Sequence, residues 1–174
     1  GSIPDSLGSL TSLEYLDLHG NNLKGTLPQS LGQLTNLTAM ALGKNNIQGP
    51  LPSGWGNLSK LRILDLSYNK LEGPLPTSFS LLSNLEHITL QHNKDLNGSI
   101  SAFEPLDNLS TLLLYSNNFS STIPAGLFSK FGPIFADFGH NHFTGSLPET
   151  LSKYAQNTSY LAIMRNNFGA DAVD

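Results

Sequence analysis

Seven asparagines recur at an almost fixed interval: Asn21, Asn45, Asn69, Asn93, Asn117, Asn141 and Asn166 stand 24, 24, 24, 24, 24 and 25 residues apart. A chain with such a period is one small unit repeated. A unit of that size cannot bury its apolar face alone, so neighbouring units must stack. The same apolar frame surrounds each asparagine. Leu13, Leu16, Leu18, Asn21 and Leu23 form the first copy, and Leu37, Met40, Leu42, Asn45 and Ile47 the second. Leu61, Leu64, Leu66, Asn69 and Leu71 form the third; Leu85, Ile88, Leu90, Asn93 and Leu96 form the fourth, with Asp95 inserted. Leu109, Leu112, Leu114, Asn117 and Phe119 form the fifth. The last two are looser: Pro133, Ala136, Phe138, Asn141, Phe143, then Thr158, Leu161, Ile163, Asn166, Phe168.

Each repeat position implies a physical role. The Leu-x-x-Leu-x-Leu segment alternates with period two at its end, as a half-buried strand does. Leu16 and Leu18 should point inward, and Tyr15, Asp17 and His19 outward. Seven such strands at about 4.8 Å spacing make a parallel sheet roughly 30 Å long. The asparagine turns the chain out of the strand, and its amide suits a ladder of bonds to backbone groups of adjacent units. After it comes Gly-x-Leu-Pro or a close variant: Gly25–Pro28, Gly49–Pro52, Gly73–Pro76 and Gly145–Pro148. Gly98-Ser99-Ile100-Ser101 lacks the proline, and Ser121-Thr122-Ile123-Pro124 lacks the glycine. Glycine there permits positive φ or close approach, and the prolines fit a region without ladder bonding. The stretch after each proline is too short for a full α-helix and reads as 3₁₀ or irregular turn.

These motifs resemble the leucine-rich repeat, and the Leu-x-Gly-x-Ile/Leu-Pro segment is similar to the plant-type subclass. The resemblance covers the whole chain. It implies an α/β repeat solenoid, with a parallel β-sheet on the concave face and 3₁₀ or irregular segments on the convex side. Residues 1–174 are then expected to form one domain of about seven repeats, preceded by a partial repeat over 1–12. Gly1-Ser2-Ile3-Pro4 matches the end of a unit whose strand is missing, so the chain is expected to be part of a longer array. Family members of this type usually carry cysteine-paired caps, and this chain has no cysteine.

Composition narrows function. Without cysteine there is no disulfide, no Cys-ligated metal and no thiol nucleophile. A net charge of -4 argues against nucleic-acid binding, which needs clustered Lys and Arg. No apolar run approaches the roughly 18 residues of a membrane span.

With the frame fixed, function must sit on the outward positions that do not repeat. One column reads Tyr15, Ala39, Ile63, His87, Thr111, Phe135, Tyr160; the next Asp17, Ala41, Asp65, Thr89, Leu113, Asp137, Ala162. Two more read His19, Gly43, Ser67, Gln91, Tyr115, Gly139, Met164 and Gly20, Lys44, Tyr68, His92, Ser116, His140, Arg165. Exposed aromatics are typical binding anchors. The candidate partner-binding residues are Tyr15, Ile63, Tyr68, His87, Gln91, His92, Leu113, Tyr115, Phe135 and Tyr160. Arg62 and Glu86 share a column and are expected to pair across strands.

No catalytic constellation emerges. His140-Asn141-His142 has metal-ligand spacing, but its asparagine is the ladder position. Ser67-Tyr68-Asn69-Lys70 needs a helix to bring lysine to serine and lies at a strand end. Asp17, Asp65 and Asp137 are two and three repeats apart, too far to work as a carboxylate pair. No cofactor, metal or enzymatic activity is expected. Six Asn-x-Ser/Thr sequons, at Asn36, Asn57, Asn97, Asn108, Asn118 and Asn157, are candidate glycosylation sites.

The resemblance implies a recognition module at the cell surface or outside the cell, part of a receptor-like kinase or receptor-like protein ectodomain. Such a module binds a protein, peptide or small ligand on the concave face. The alternatives are a secreted inhibitor of an extracellular enzyme, like the polygalacturonase inhibitors, or an intracellular scaffold. Ice binding would need a regular threonine lattice, and the position after glycine (Thr26, Pro50, Pro74, Ser99, Thr122, Ser146) is irregular.

Overall fold

The computed structural model describes residues 1–128, 135–154 and 158–169. Each unit contributes two short strands. In chain order these are β1 (Tyr15–Asp17), β2 (Lys24–Thr26), β3 (Ala39–Ala41), β4 (Asn46–Pro50), β5 (Ile63–Asp65), β6 (Lys70–Pro74) and β7 (His87–Thr89). There follow β8 (Asp95–Gly98), β9 (Thr111–Leu113), β10 (Asn118–Ser121), β11 (Phe135–Asp137), β12 (His142–Gly145), β13 (Tyr160–Ala162) and β14 (Asn167–Phe168). The odd-numbered strands form one parallel sheet in the order β1-β3-β5-β7-β9-β11-β13, and the even-numbered strands form a second, β14-β12-β10-β8-β6-β4-β2. The register of the first sheet pairs Tyr15 with Ala39, Ala39 with Ile63, Ile63 with His87 and so on, reproducing the expected column.

The second sheet departs from expectation, which placed only 3₁₀ or irregular backbone beyond the asparagine. It forms because the residues around the glycine pair with the next unit in a register two residues short of the repeat: Gly25 faces Ile47 and Gly49 faces Leu71. Pro50 and Pro74 are accommodated as the last residues of their strands. The Leu-Pro prolines do lie outside the ladders. Pro28, Pro52 and Pro76 each precede a 3₁₀ helix, over Gln29–Gln33, Ser53–Asn57 and Thr77–Leu81.

Unit six differs again, with an α-helix, α1 (Glu149–Tyr154), where 3₁₀ turn was expected. The interval from Pro148 to Tyr160 is one residue longer than from Pro124 to Phe135. That extra residue gives room for the wider α turn.

Between the sheets and the 3₁₀ segments lies one continuous core. Leu37, Met40 and Leu42 are buried in unit two, Leu61, Leu64 and Leu66 in unit three, and Leu85, Ile88 and Leu90 in unit four. Trp55 is buried and satisfies its indole N–H by donating to the Pro28 carbonyl at 3.1 Å. Toward the C-terminal end the core becomes aromatic: Phe119, Phe143 and Phe168 stack at centroid separations of 6.4 Å, and Phe138 meets Phe143 edge-on at 5.8 Å.

The expected asparagine ladder is present. Asn45 donates from Nδ2 to the carbonyls of Leu42 and Gly43 in its own unit and of Leu18 in the preceding one, and its Oδ1 accepts the Leu23 N–H. Asn69 and Asn141 repeat this set. Asn117 instead accepts from the Asn93 N–H, because the inserted Asp95 displaces the backbone that would otherwise face it. These asparagines thus satisfy backbone groups that a parallel sheet of three-residue strands leaves unpaired.

Candidate functional site

The outward columns of the first sheet are shaped by the turn that ends each strand. Gly20, Lys44, Tyr68, His92, Ser116, His140 and Arg165, each one residue before its ladder asparagine, all have positive φ, between 51° and 69°. The asparagine pins this turn, but the residue before it takes the left-handed conformation. Its N–H still continues the ladder: Tyr68 donates to the Gln91 carbonyl and His92 to the Tyr115 carbonyl. Side chains in this column therefore stand in a row at the edge of the sheet, one per unit.

Four rings exploit that row. Tyr68 stacks on His92 at 4.4 Å between centroids, His92 meets Tyr115 edge-on at 5.3 Å, and Tyr115 meets His140 at 4.7 Å. Tyr115 comes from the neighbouring column and reaches across Gly139. A Cβ on Gly139 would lie 3.2 Å from the Tyr115 ring, so the glycine makes room for it. Tyr68, Gln91, His92, Leu113, Tyr115 and Asp137 line an open notch of ≈ 290 Å³.

Of the ten residues singled out from sequence, the structure brings Tyr68, Gln91, His92, Leu113 and Tyr115 to this notch. Phe135 and Tyr160 form a separate stack, 5.4 Å apart, on β11 and β13. Ile63 is exposed on β5, and His87 is half-buried beside it with Nδ1 2.9 Å from the Thr111 hydroxyl. Tyr15 stands apart on β1, its hydroxyl toward Asp17. Ala39, Gly43, Ser67, Gly139 and Ala162, counted as outward positions, are buried. Two members of the site fall outside the ten: His140, which ends the ring row, and Asp137, which lines the notch. The column alignment already places His140 with Tyr68 and His92.

The aspartates serve the turns. Asp17, Asp65 and Asp137 each accept, through Oδ1, the N–H two residues on, from His19, Ser67 and Gly139. Asp65 also accepts from the hydroxyls of Ser67 and Thr89, and its Oδ2 lies 3.4 Å from His19 Nδ1. That contact spans two units because Gly43 lies between; a Cβ there would sit 2.6 Å from Asp65 Oδ2.

Arg62 and Glu86 make the expected pair, Nε to Oε1 at 2.8 Å and a second guanidinium nitrogen to Oε2 at 2.9 Å. The hydrogen bond from Arg62 holds the Glu86 carboxyl below the usual carboxylate range, and the same bond raises Arg62. His140 and His142 diverge, since His142 opens β12 in the second sheet. Among the described residues no group of three metal-ligating side chains is assembled.

The sequon asparagines differ in freedom. Asn36 donates to the Thr11 carbonyl and accepts from Lys60, Asn108 donates to Ser83, and Asn97 donates to Asp95. Asn57 and Asn118 are exposed, with no side-chain hydrogen bond among the described residues. Asn157 lies outside the described residues.

Comparison with known proteins matches two leucine rich repeat family models, one over residues 36–94 and one over 12–34 and 108–130. Among solved structures the chain is similar to the plant peptide hormone receptor RGFR1 in complex with RGF2, at 32% identity and a TM-score of 0.91. That match covers 97% of this chain and 27% of the receptor chain. It is also similar to the ectodomain of the Arabidopsis receptor kinase HAESA in complex with an extended IDA peptide hormone, at 31% identity and a TM-score of 0.86, over 96% of this chain and 32% of that one. A third similar structure is a plant ice-binding protein, at 26% identity and a TM-score of 0.81, over 97% of this chain and 62% of that one. The chain thus spans roughly a quarter to a third of these receptor chains. No curated protein matches it. No helix among the described residues is long and apolar enough to cross a membrane.

Proposed function

The chain belongs to the leucine-rich repeat family, in its plant-type form, and from that premise we propose that it is a non-enzymatic recognition module binding a protein or peptide through the outer face of its first sheet. The observation that carries the reading is the row of four rings, Tyr68, His92, Tyr115 and His140, held in register by left-handed turns beside an open notch. Rings ordered before a partner arrives lose little rotamer freedom on binding, so more of their contact energy appears as affinity. Phe135 and Tyr160 extend the apolar surface along the same sheet. The similar receptor structures hold peptide hormones, which supports a peptide as the ligand and an extracellular or cell-surface setting, in a receptor-like kinase or receptor-like protein. Asn57 and Asn118, the exposed sequon asparagines without a side-chain hydrogen bond among the described residues, lie in a 3₁₀ helix and in the second sheet, so glycans there would leave the first sheet open.

A surface-adsorbing role has the likeness to the ice-binding protein behind it. The outward positions of the second sheet oppose it. Lys24, Lys70, Glu72 and Asp95 put exposed charges between the residues a flat hydroxyl lattice would need.

The test is a random peptide library displayed against the chain, followed by affinity measurement of the selected peptides on Tyr115→Ala and His92→Ala. Each substitution should weaken binding about tenfold or more, the range of an aromatic anchor, with unchanged thermal melting. Selected peptides that bind both variants as well as the parent chain would refute the face assignment.

A further inference from the structure

Resting on that reading, the notch has a chemistry of its own. Its walls are the rings of Tyr68, His92 and Tyr115 with Leu113, and its polar groups are Gln91 and Asp137. Gln91 Oε1 is buried and accepts no hydrogen bond. Buried polar atoms are nearly always paired, and an unpaired one needs a reason. Turning this amide toward a bound group sacrifices no bond, so it is a poised acceptor. Asp137 accepts one bond, from the Gly139 N–H, which leaves its second carboxylate oxygen without a partner among the described residues. Asp65, the other nearby acid, is occupied by Ser67, Thr89 and His19. The basic residues of the turn column, Lys44 and Arg165, belong to the units outside the ring row and do not line the notch.

We infer that the notch takes a cationic side chain of the ligand, with the guanidinium of an arginine as the best-fitting group. Its plane packs against the tyrosine rings that line the notch, whose electron-rich faces attract positive charge. Its N–H groups donate to the free oxygen of Asp137 and to Gln91 Oε1, and the charge-assisted bond to the carboxylate is the stronger of the two. A carboxylate or phosphate would be repelled by the Asp137 carboxylate, and neither lysine nor arginine lines the notch to offset that. The occupant is therefore a peptide or protein segment presenting arginine.

The experiment is an NMR titration of the chain with N-acetyl-arginine amide and, separately, with its neutral isostere N-acetyl-citrulline amide, reading the ring resonances of Tyr68, His92 and Tyr115. The arginine probe should shift these rings saturably, and the citrulline probe should bind about fivefold more weakly or worse. Asp137→Asn keeps an acceptor for the Gly139 N–H, so the turn survives; it should lower arginine affinity by a similar factor and leave citrulline unaffected. Equal response to the two probes, no saturable shift, or an Asp137→Asn variant that binds arginine as tightly as the parent would each overturn the inference. A library-selected peptide that lacks any cationic side chain, yet loses binding on Tyr115→Ala, would overturn it while leaving the recognition reading intact.

Discussion

At the residue scale, the fold rests on one side chain used repeatedly. Asn93 is fully buried, donates to the Leu66 and Leu90 carbonyls and accepts the Leu71 N–H. Asn93→Ala leaves those backbone groups unpaired in the core and should destabilise the chain by about 3 kcal/mol in urea unfolding. Asn21→Ala removes only two bonds at an exposed end, to Leu18 and His19, and should cost under about 1 kcal/mol. Equal losses at the two sites would contradict a ladder whose strength comes from burial. Ser121 is a second informative position. It holds φ 76° where Gly25, Gly49, Gly73, Gly98 and Gly145 hold 74–84°. Ser121→Gly should therefore raise stability by about 0.5–1 kcal/mol, strain relief exceeding the entropy of the added glycine; a lower denaturation midpoint would show that serine is not strained there. The asparagine role was legible because its amide has few other uses at a fixed 24-residue spacing. The left-handed column was not, since Lys44, Tyr68, His92, Ser116, His140 and Arg165 share no residue type that signals positive φ.

At the scale of elements, close stacking of 3₁₀ helices decides which glycines are indispensable. A Cβ on Gly32 would lie 2.4 Å from the backbone carbonyl oxygen of Gly54, whereas one on Gly54 would meet the movable Oε1 of Gln29 at 2.9 Å. Gly32→Ala must push two helices apart and should cost about 1–3 kcal/mol; Gly54→Ala should cost less, and calorimetry of both variants tests the order. The Arg62–Glu86 pair links the residues that lead into β5 and β7. Because the folded Glu86 carboxyl sits below its ordinary value, its contribution is present above the unfolded value and is lost as pH falls through the folded one. The melting-temperature gap between the parent chain and Glu86→Gln should thus be widest near neutral pH and close on acidification; a gap constant down to strongly acidic pH would contradict the pair's role. The first sheet was readable from its Leu-x-x-Leu-x-Leu alternation. The second was hidden because glycine and proline occupy its strands, two residues that argue against strand wherever no neighbouring unit supplies a ladder.

At the scale of the molecule, repetition makes the core insensitive to what stands on its outer face, so ordered features there call for an explanation other than stability. The period of 24 put Tyr68, His92 and His140 in one column, which made three of the four rings of the row visible in the sequence. Tyr115 joins from the neighbouring column only because Gly139 leaves space for it, a side-chain direction that spacing does not encode. For the same reason Asp137 reads as one aspartate among three in sequence, and only its place at the notch sets it apart. The measurement that bears most directly on the account is hydroxyl-radical footprinting of the chain with a library-selected peptide bound and free. The account predicts protection of Tyr68, His92 and Tyr115 on the first sheet, with His142 and Pro50 on the second sheet unchanged. Protection confined to the second sheet or to the 3₁₀ segments, with the ring row still fully reactive, would contradict it.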